Sequence, residues 1–173
     1  MVMLANHKGI DFIICDHHLP GQHIPQAVAV LDPKRDDCTY PYQELSGCGL
    51  GFKLIQAYAR RYRDEKEIFQ YLDLVAVSTA SDIVPITGEN RVLTHFGLKK
   101  LNENPSPGLR ALKELANIQG DLDVGGIVFT LGPRINAAGR VAHARAAVEL
   151  LISSSEVEAM SLAEKVDIKN DLR

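Results

Sequence analysis

The chain has 173 residues, 46% of them hydrophobic, which suits one sizeable globular core or two small ones. Its 19 basic and 22 acidic residues give a net charge of −3, which argues against binding nucleic acid through a broadly basic surface. No apolar run reaches transmembrane length, so no membrane-spanning helix is expected. Three cysteines without a Cys-x-x-Cys spacing favour free thiols in a reducing cytoplasm over a disulfide framework.

In the first half of the chain, short apolar runs and capping residues predict a helix tail, two strands and two helices. Residues 1–9 are typical of a helix that ends at a C′ glycine. The apolar run 11–15, which includes Cys15, is expected to be a buried strand and is followed at once by a loop. The remaining elements predicted here are a strand at 27–31, a surface loop at 34–45, a helix from Ser46, a helix at 65–80 and a turn at 87–90.

The second half of the chain has helical patterns, and no strand is required there. For residues 121–131 helix and strand both stay open, with a short helix begun by an aspartate favoured. Helices are predicted at 91–102, at 108–116 with Pro107 in the first turn, at 144–152, and at 155–173 behind a run of capping serines. About seven helices against two strands indicate a mostly helical α/β chain. Because two parallel strands alone make no stable sheet, we interpret it as an internal fragment.

Asp16, His17 and His18 follow the first predicted strand directly and are succeeded by Leu-Pro-Gly. Ligands of open α/β sheets gather outside the carboxyl ends of the strands, which is where this triplet falls. Carboxylate and imidazole side by side suit a cation such as Mn²⁺, Fe²⁺ or Zn²⁺. The alternative is a strand end with ordinary polar residues, one of which caps a helix.

Asp82 is the single carboxylate in an apolar, small-residue segment, residues 75–85. A charge in such surroundings is unfavourable unless it is paired or bound to a metal. A Gly-x-Gly-x-Gly run at 47–51 opens the helix that starts at Ser46. A glycine run of this kind is weak evidence for phosphate binding, and close packing of the helix start is the favoured interpretation.

Arg134, Asn136 and Arg140 stand among small residues in the segment Gly-Pro-Arg-Ile-Asn-Ala-Ala-Gly-Arg, residues 132–140, which we expect to be a loop with a turn. Small residues let the backbone approach a ligand, and the planar guanidinium of arginine grips phosphate. The alternative is a turn between helices whose arginines pair with acids. His143, close behind, is expected to be a cap or a partner of an acid.

The triplet, Asp82 and the segment 132–140, in this order, resemble the DHH phosphoesterase family. The third segment resembles its RecJ branch, the single-strand-specific DNA exonucleases. The resemblance implies two divalent ions, Mn²⁺ first and Mg²⁺ as the alternative, with His17 and Asp82 as metal ligands. It places His18 near the metal and the scissile phosphate, and Asp16 as an orienting carboxylate.

For the fold, the resemblance implies a partial DHH-type domain over residues 1–173 with a short remnant of a parallel sheet. The third and fourth family motifs lie in this chain, residues 155–173 resemble the start of a connector helix, and the first two aspartate motifs and a C-terminal domain are expected outside it. Arg134, Asn136 and Arg140 would then contact the phosphates of single-stranded DNA. With half of the metal-binding carboxylates missing, the chain by itself is expected to be inactive.

For the whole protein, the resemblance implies a metal-dependent 5′-to-3′ exonuclease on single-stranded DNA that acts in repair and recombination. A single-strand-binding protein and a helicase are the partners it suggests, in the cytoplasm and away from membranes. Small-substrate DHH hydrolases, acting on pyrophosphate, cyclic dinucleotides or nanoRNA, share the triplet and the aspartate but lack the segment 132–140. A non-catalytic DHH-derived scaffold is the third interpretation, and an Asp-x-Asp pair on an earlier strand would separate it from a nuclease.

Overall fold

The computed structural model describes residues 1–140 and 144–171, and the side chains of residues 1–136 and 145–165. Short strands lie near its N-terminus, and helices make up most of the rest. The elements in chain order are α1 (Val2–His7), β1 (Ile13–Cys15), β2 (Ala29–Leu31), α2 (Gly47–Tyr62), a 3₁₀ helix (Glu65–Tyr71), α3 (Leu72–Ser81), α4 (Gly88–Glu103), α5 (Pro107–Leu115), α6 (Val124–Gly126), a π-helical segment (Ile127–Leu131), α7 (Gly132–Arg140), α8 (Ala144–Ile152) and α9 (Glu156–Asp171). None of these helices is long and apolar enough to cross a bilayer.

The two strands form the parallel pair that the sequence predicted, and in its register Ile13 lies opposite Ala29. The prediction that β1 is buried is wrong, because Ile13 is 56% exposed and Cys15 is exposed too. In the described part of the chain, β1 has one neighbouring strand, and the helix that packs against it is α2. One face and one edge of β1 are therefore left uncovered.

Helix α3 is the centre of the helical body, since α2, α4, α7 and the π-helical segment all pack against it. Six of its ten residues are buried. Its approach to α4 depends on Gly97, because a Cβ there would stand 2.2 Å from the carbonyl oxygen of Leu72. A second layer of helices, α5, α8 and α9, closes the larger hydrophobic cluster around Leu109, Leu112 and Leu150.

Two predicted boundaries in the first half of the chain are wrong. The helix expected at 65–80 is a 3₁₀ helix followed by α3, and Asp64 caps the former by accepting a hydrogen bond from the Lys66 N–H at 2.9 Å. The turn expected at 87–90 is already the first turn of α4. The reason is that the Asn90 side chain bonds to two other loops instead of closing a turn on its own backbone.

The segment 132–140 is a helix and not the expected loop. Asp123 caps α6 by accepting from the Gly126 N–H at 2.7 Å, and the helical path then continues through the π-helical segment into α7. A proline inside a helix lacks its N–H and crowds the turn before it, and the widened π turn just before Pro133 accommodates both effects. His143 lies outside the described residues. The helix at 144–152 is confirmed, and so is the helix behind Ser155, whose Oγ accepts from the Glu158 N–H at 3.3 Å.

Candidate metal and phosphate site

His17 and Asp82, which are far apart in the sequence, meet in the structure. His17 follows β1 by two residues, and Asp82 comes directly after the last residue of α3. The distance from His17 Nε2 to Asp82 Oδ2 is 3.2 Å, and the side chains are 14% and 41% exposed. One nitrogen donor and one carboxylate are thus brought together at the edge of the helical body.

The imidazole of His17 is held by the start of α2. A Cβ at Gly47 would stand 3.4 Å from His17 Cδ2, so the start of α2 lies in van der Waals range of the ring. Ser46 caps α2 through the Gly49 N–H at 3.1 Å, and its Oγ lies 3.2 Å from Thr79 Oγ1 in α3. Within the glycine run the tightest position is Gly49, where a Cβ would stand 3.2 Å from Ser46 Oγ, and the start of α2 lies between His17 and α3.

The sequence had placed Asp82 inside an apolar segment. In the structure it lies instead at the exposed end of α3. A carboxylate at a helix C-terminus faces the negative end of the helix dipole, so its place is not explained by helix stability. Within the described residues, its ion-pair partner is His17.

Asp16 ties the triplet together. Its Oδ1 accepts from the backbone N–H of His17 at 2.8 Å and of His18 at 3.2 Å, and it lies 2.7 Å from His18 Nδ1. The hydrogen bond with the His18 ring, assisted by the two backbone bonds, lowers the pKa of the Asp16 carboxyl below its ordinary value. These bonds support the orienting role expected of Asp16, which stays a prediction. His18 itself is 77% exposed.

A cavity of about 470 Å³ adjoins the pair and is lined by residues from five places in the chain. Its polar lining comes from five side chains: His17, Ser78, Ser81, Asp82 and Asn136. The sequence predicted three of these and missed Ser78 and Ser81. The spacing of Ser78 four residues before Asp82, which places both on one helix face, is the signal that could have found it.

Of the residues expected to contact phosphate, the two whose side chains are described, Asn136 and Arg134, do not lie together. Asn136 of α7 lines the cavity. Arg134 Nη1 donates to the Thr130 carbonyl oxygen at 3.1 Å, back along its own helix, and Arg134 is not part of the cavity wall. The side chain of Arg140 lies outside the described ones, so its predicted role stays a prediction.

The donor atoms fit part of a metal site. Two ligands of one octahedral ion, each about 2.1 Å from it, stand about 3 Å apart. The 3.2 Å between His17 Nε2 and Asp82 Oδ2 suits such a shared ion. No group of three or more metal-binding side chains occurs among the described residues, so this pair supplies two ligands and not a complete set.

Comparison with known proteins gives the class of the protein. Residues 1–79 match the model described as "DHH family, N-terminal domain". The fold agrees: a crystal structure of exonuclease RecJ bound to manganese superposes with a TM-score of 0.83 at 30% identity, over 99% of this chain and 43% of that one. Over residues 1–79 the chain is therefore similar to the N-terminal domain of the DHH family.

Within that family, the chain is similar to single-stranded-DNA-specific exonucleases named RecJ. It is 40% identical over 171 residues to the one from Bacillus subtilis and 37% identical over 181 residues to the one from Escherichia coli, in each case over 98% of this chain. RecJ from Thermus thermophilus in complex with Mn²⁺ matches with a TM-score of 0.83 and 31% identity, over 96% of this chain and 25% of that one. The chain spans 21% of the Bacillus subtilis relative's own length and 31% of the Escherichia coli one's.

Proposed function

We propose that this chain contributes to a metal-dependent exonuclease that hydrolyses single-stranded DNA from the 5′ end, in DNA repair and recombination. The observation that carries the proposal is the meeting of His17 Nε2 and Asp82 Oδ2 at 3.2 Å beside a cavity that Asn136 also lines. Similarity to exonucleases named RecJ over nearly the whole chain supports the choice of substrate.

His17 and Asp82 are the metal ligands in this proposal. The ion is Mn²⁺ rather than Mg²⁺, because an imidazole nitrogen suits the former better than the latter. A pair of such ions would lower the pKa of a bound water and stabilise charge on the phosphate oxygens. Asp16 fixes the turn that aims the His17 ring, and Gly47 closes the wall behind it. The second ion needs carboxylates other than the described ones.

In this proposal Asn136, Arg134 and Arg140 hold the phosphates of the strand without reading its bases. The position of Asn136 in the cavity wall supports its part. Arg134 would exchange its bond to the Thr130 carbonyl for a phosphate oxygen. Because the net charge is −3, such local contacts are the form that DNA binding must take here.

The wider setting of the proposal follows the family. The partners are a single-strand-binding protein and a helicase, the location is the cytoplasm, and residues 155–173 begin a connector to a further domain. The three cysteines are free thiols, as a reducing compartment requires. The helix α9 that covers most of the proposed connector packs on α5, α7 and α8.

The test is Mn²⁺ binding by the chain, followed by electron paramagnetic resonance. We expect binding that His17→Ala and Asp82→Asn abolish, while His95→Ala, which alters an exposed histidine on α4, leaves it unchanged. Equal binding by the His17 variant and the unsubstituted chain would refute the proposed ligands.

A second assay adds a 5′-phosphorylated single-stranded oligonucleotide to the same samples. With two ligands among the described residues, we expect no shortening by the chain alone. Shortening that His17→Ala abolishes would support the nuclease function and contradict the expected inactivity.

A further inference from the structure

The helices α1, α3 and α5 each end in a residue with left-handed backbone at the C′ position. These residues are Gly9 after α1 with φ 64°, Ile83 after α3 with φ 56°, and Asn117 after α5 with φ 49°. Glycine and asparagine adopt this conformation readily, whereas a β-branched side chain clashes with its own backbone there. The residue with the strained backbone conformation is Ile83, and of the three it is the one next to Asp82.

Packing inside the described chain does not explain the isoleucine. Its side chain is 80% exposed, so it gains almost nothing from burial. The backbone around it is fixed by other residues: the Pro85 carbonyl accepts from Asn90 Nδ2 at 3.0 Å and from the Tyr42 hydroxyl at 3.1 Å. Those bonds would hold the turn with glycine at position 83 as well. Strained residues that the surroundings maintain are concentrated at functional sites.

We propose that Ile83 is a substrate-contacting residue, whose side chain packs on the sugar or base of the nucleotide that the His17–Asp82 site binds. The inference rests on the proposed function. It adds Ile83, which belongs neither to the family motifs named above nor to the lining of the cavity. Metal ligands and Asn136 can hold a phosphate, but they offer no apolar surface to the rest of a nucleotide. An exposed isoleucine that directly follows Asp82 offers one.

The experiment compares Ile83→Gly, Ile83→Leu and, as a matched control at a site remote from Asp82, Asn117→Gly. Melting temperature is measured for each, with the Kd for a 5′-phosphorylated oligothymidylate and for inorganic phosphate, both with Mn²⁺. We expect Ile83→Gly to raise the melting temperature by about 2–4 °C and to weaken oligothymidylate binding about five- to tenfold. The Kd for inorganic phosphate should stay within about twofold of that of the unsubstituted chain, because phosphate makes no contact with the apolar side chain.

The other two variants separate strain from contact. Ile83→Leu keeps the apolar surface and a Cβ in left-handed backbone but removes the β-branch, so oligothymidylate binding should stay close to that of the unsubstituted chain whatever happens to the melting temperature. Asn117→Gly should change neither Kd. A melting temperature that rises in Ile83→Gly with no change in oligothymidylate binding would overturn the proposal, because the side chain would then be strained without contacting the nucleotide.

The outcomes also distinguish this inference from the proposed function. Oligothymidylate binding that is lost in His17→Ala and Asp82→Asn, and unchanged in Ile83→Gly, overturns the role of Ile83 alone. An absence of Mn²⁺-dependent binding in the unsubstituted chain overturns both. A dimer in sedimentation velocity that Ile83→Gly dissociates would show that a second copy covers the residue, and this too would overturn the contact with substrate.

Discussion

The two ends of α3 each carry an aspartate, and the two carboxylates have opposite surroundings. Asp73, in the first turn, has a fully buried side chain, accepts from the Ser106 N–H at 2.7 Å and the Leu74 N–H at 3.0 Å, and lies 3.3 Å from Lys100 Nζ. Asp82, after the last turn, is 41% exposed and faces His17.

This difference separates a structural carboxylate from a functional one. Asp73 stands at the end of the helix where the dipole favours negative charge, and its oxygens are occupied by protein donors. Asp82 stands at the unfavourable end and keeps lone pairs free for a ligand. Full burial therefore marks the stabilising end of α3, while a partly exposed carboxylate that the helix dipole does not favour marks the candidate site.

Asp73→Ala should be the most destabilising change at either end of α3. Removing one partner of a buried ion pair costs about 3–5 kcal/mol, because Lys100 and the Ser106 N–H lose their acceptor. Urea unfolding followed by circular dichroism measures the loss. A loss equal to that of Asp82→Ala would show that the two ends do not differ.

Gly97→Ala tests the packing at the Asp73 end. A Cβ at this position would lie 2.2 Å from the Leu72 carbonyl oxygen and 2.6 Å from Ala76 Cβ, and backbone atoms yield little. We expect a loss of about 3 kcal/mol in the free energy of unfolding. Gly51→Ala in α2 is the control, since nothing lies within 4 Å of its Cβ, and it should be neutral or stabilising by about 1 kcal/mol.

Asn90→Ala tests how the Asp82 end is held. The buried amide donates to the Glu44 carbonyl oxygen at 2.5 Å and to that of Pro85 at 3.0 Å, and so joins the loop before α2 to the loop after α3. Losing it leaves two carbonyls without this donor, and we expect a loss of about 2 kcal/mol. Because these loops lead to Gly47 and Asp82, Mn²⁺ affinity should fall as well. Unchanged Mn²⁺ affinity in the folded variant would show that the two hydrogen bonds of Asn90 stabilise the fold without positioning the site.

Asp82→Asn should have the smallest effect on stability and the sharpest effect on binding. Removing a negative charge from the C-terminus of α3 should change the free energy of unfolding by about 0.5 kcal/mol or less, in the stabilising direction. Mn²⁺ binding should be lost. A large loss of stability measured by urea unfolding would place Asp82 with Asp73 among the structural residues.

Elements that local chemistry marks were predictable from the sequence. Ser46, Pro107 and Ser155 cap or begin helices where the sequence places them, because these signals act within one turn. The two strands and their parallel pairing were predicted as well. The segment 132–140 was not predictable in this way, because its helix depends on the π-helical segment before it and on packing against α3 and α9.

Motifs and helix caps are short-range patterns, so the resemblance to the DHH family, the capping of the helices and the candidate residues of the site could all be predicted from the sequence. The tertiary structure alone decided that Asp82 lies at the exposed end of α3, 3.2 Å from His17, and that Asn136 joins them. It also decided that Arg134 bonds to its own helix and that Cys15 is exposed. These positions follow from the packing of α2, α3 and α7, which brings together residues distant in the chain. Such contacts produce no repeating pattern within any one segment, so the local sequence does not predict them.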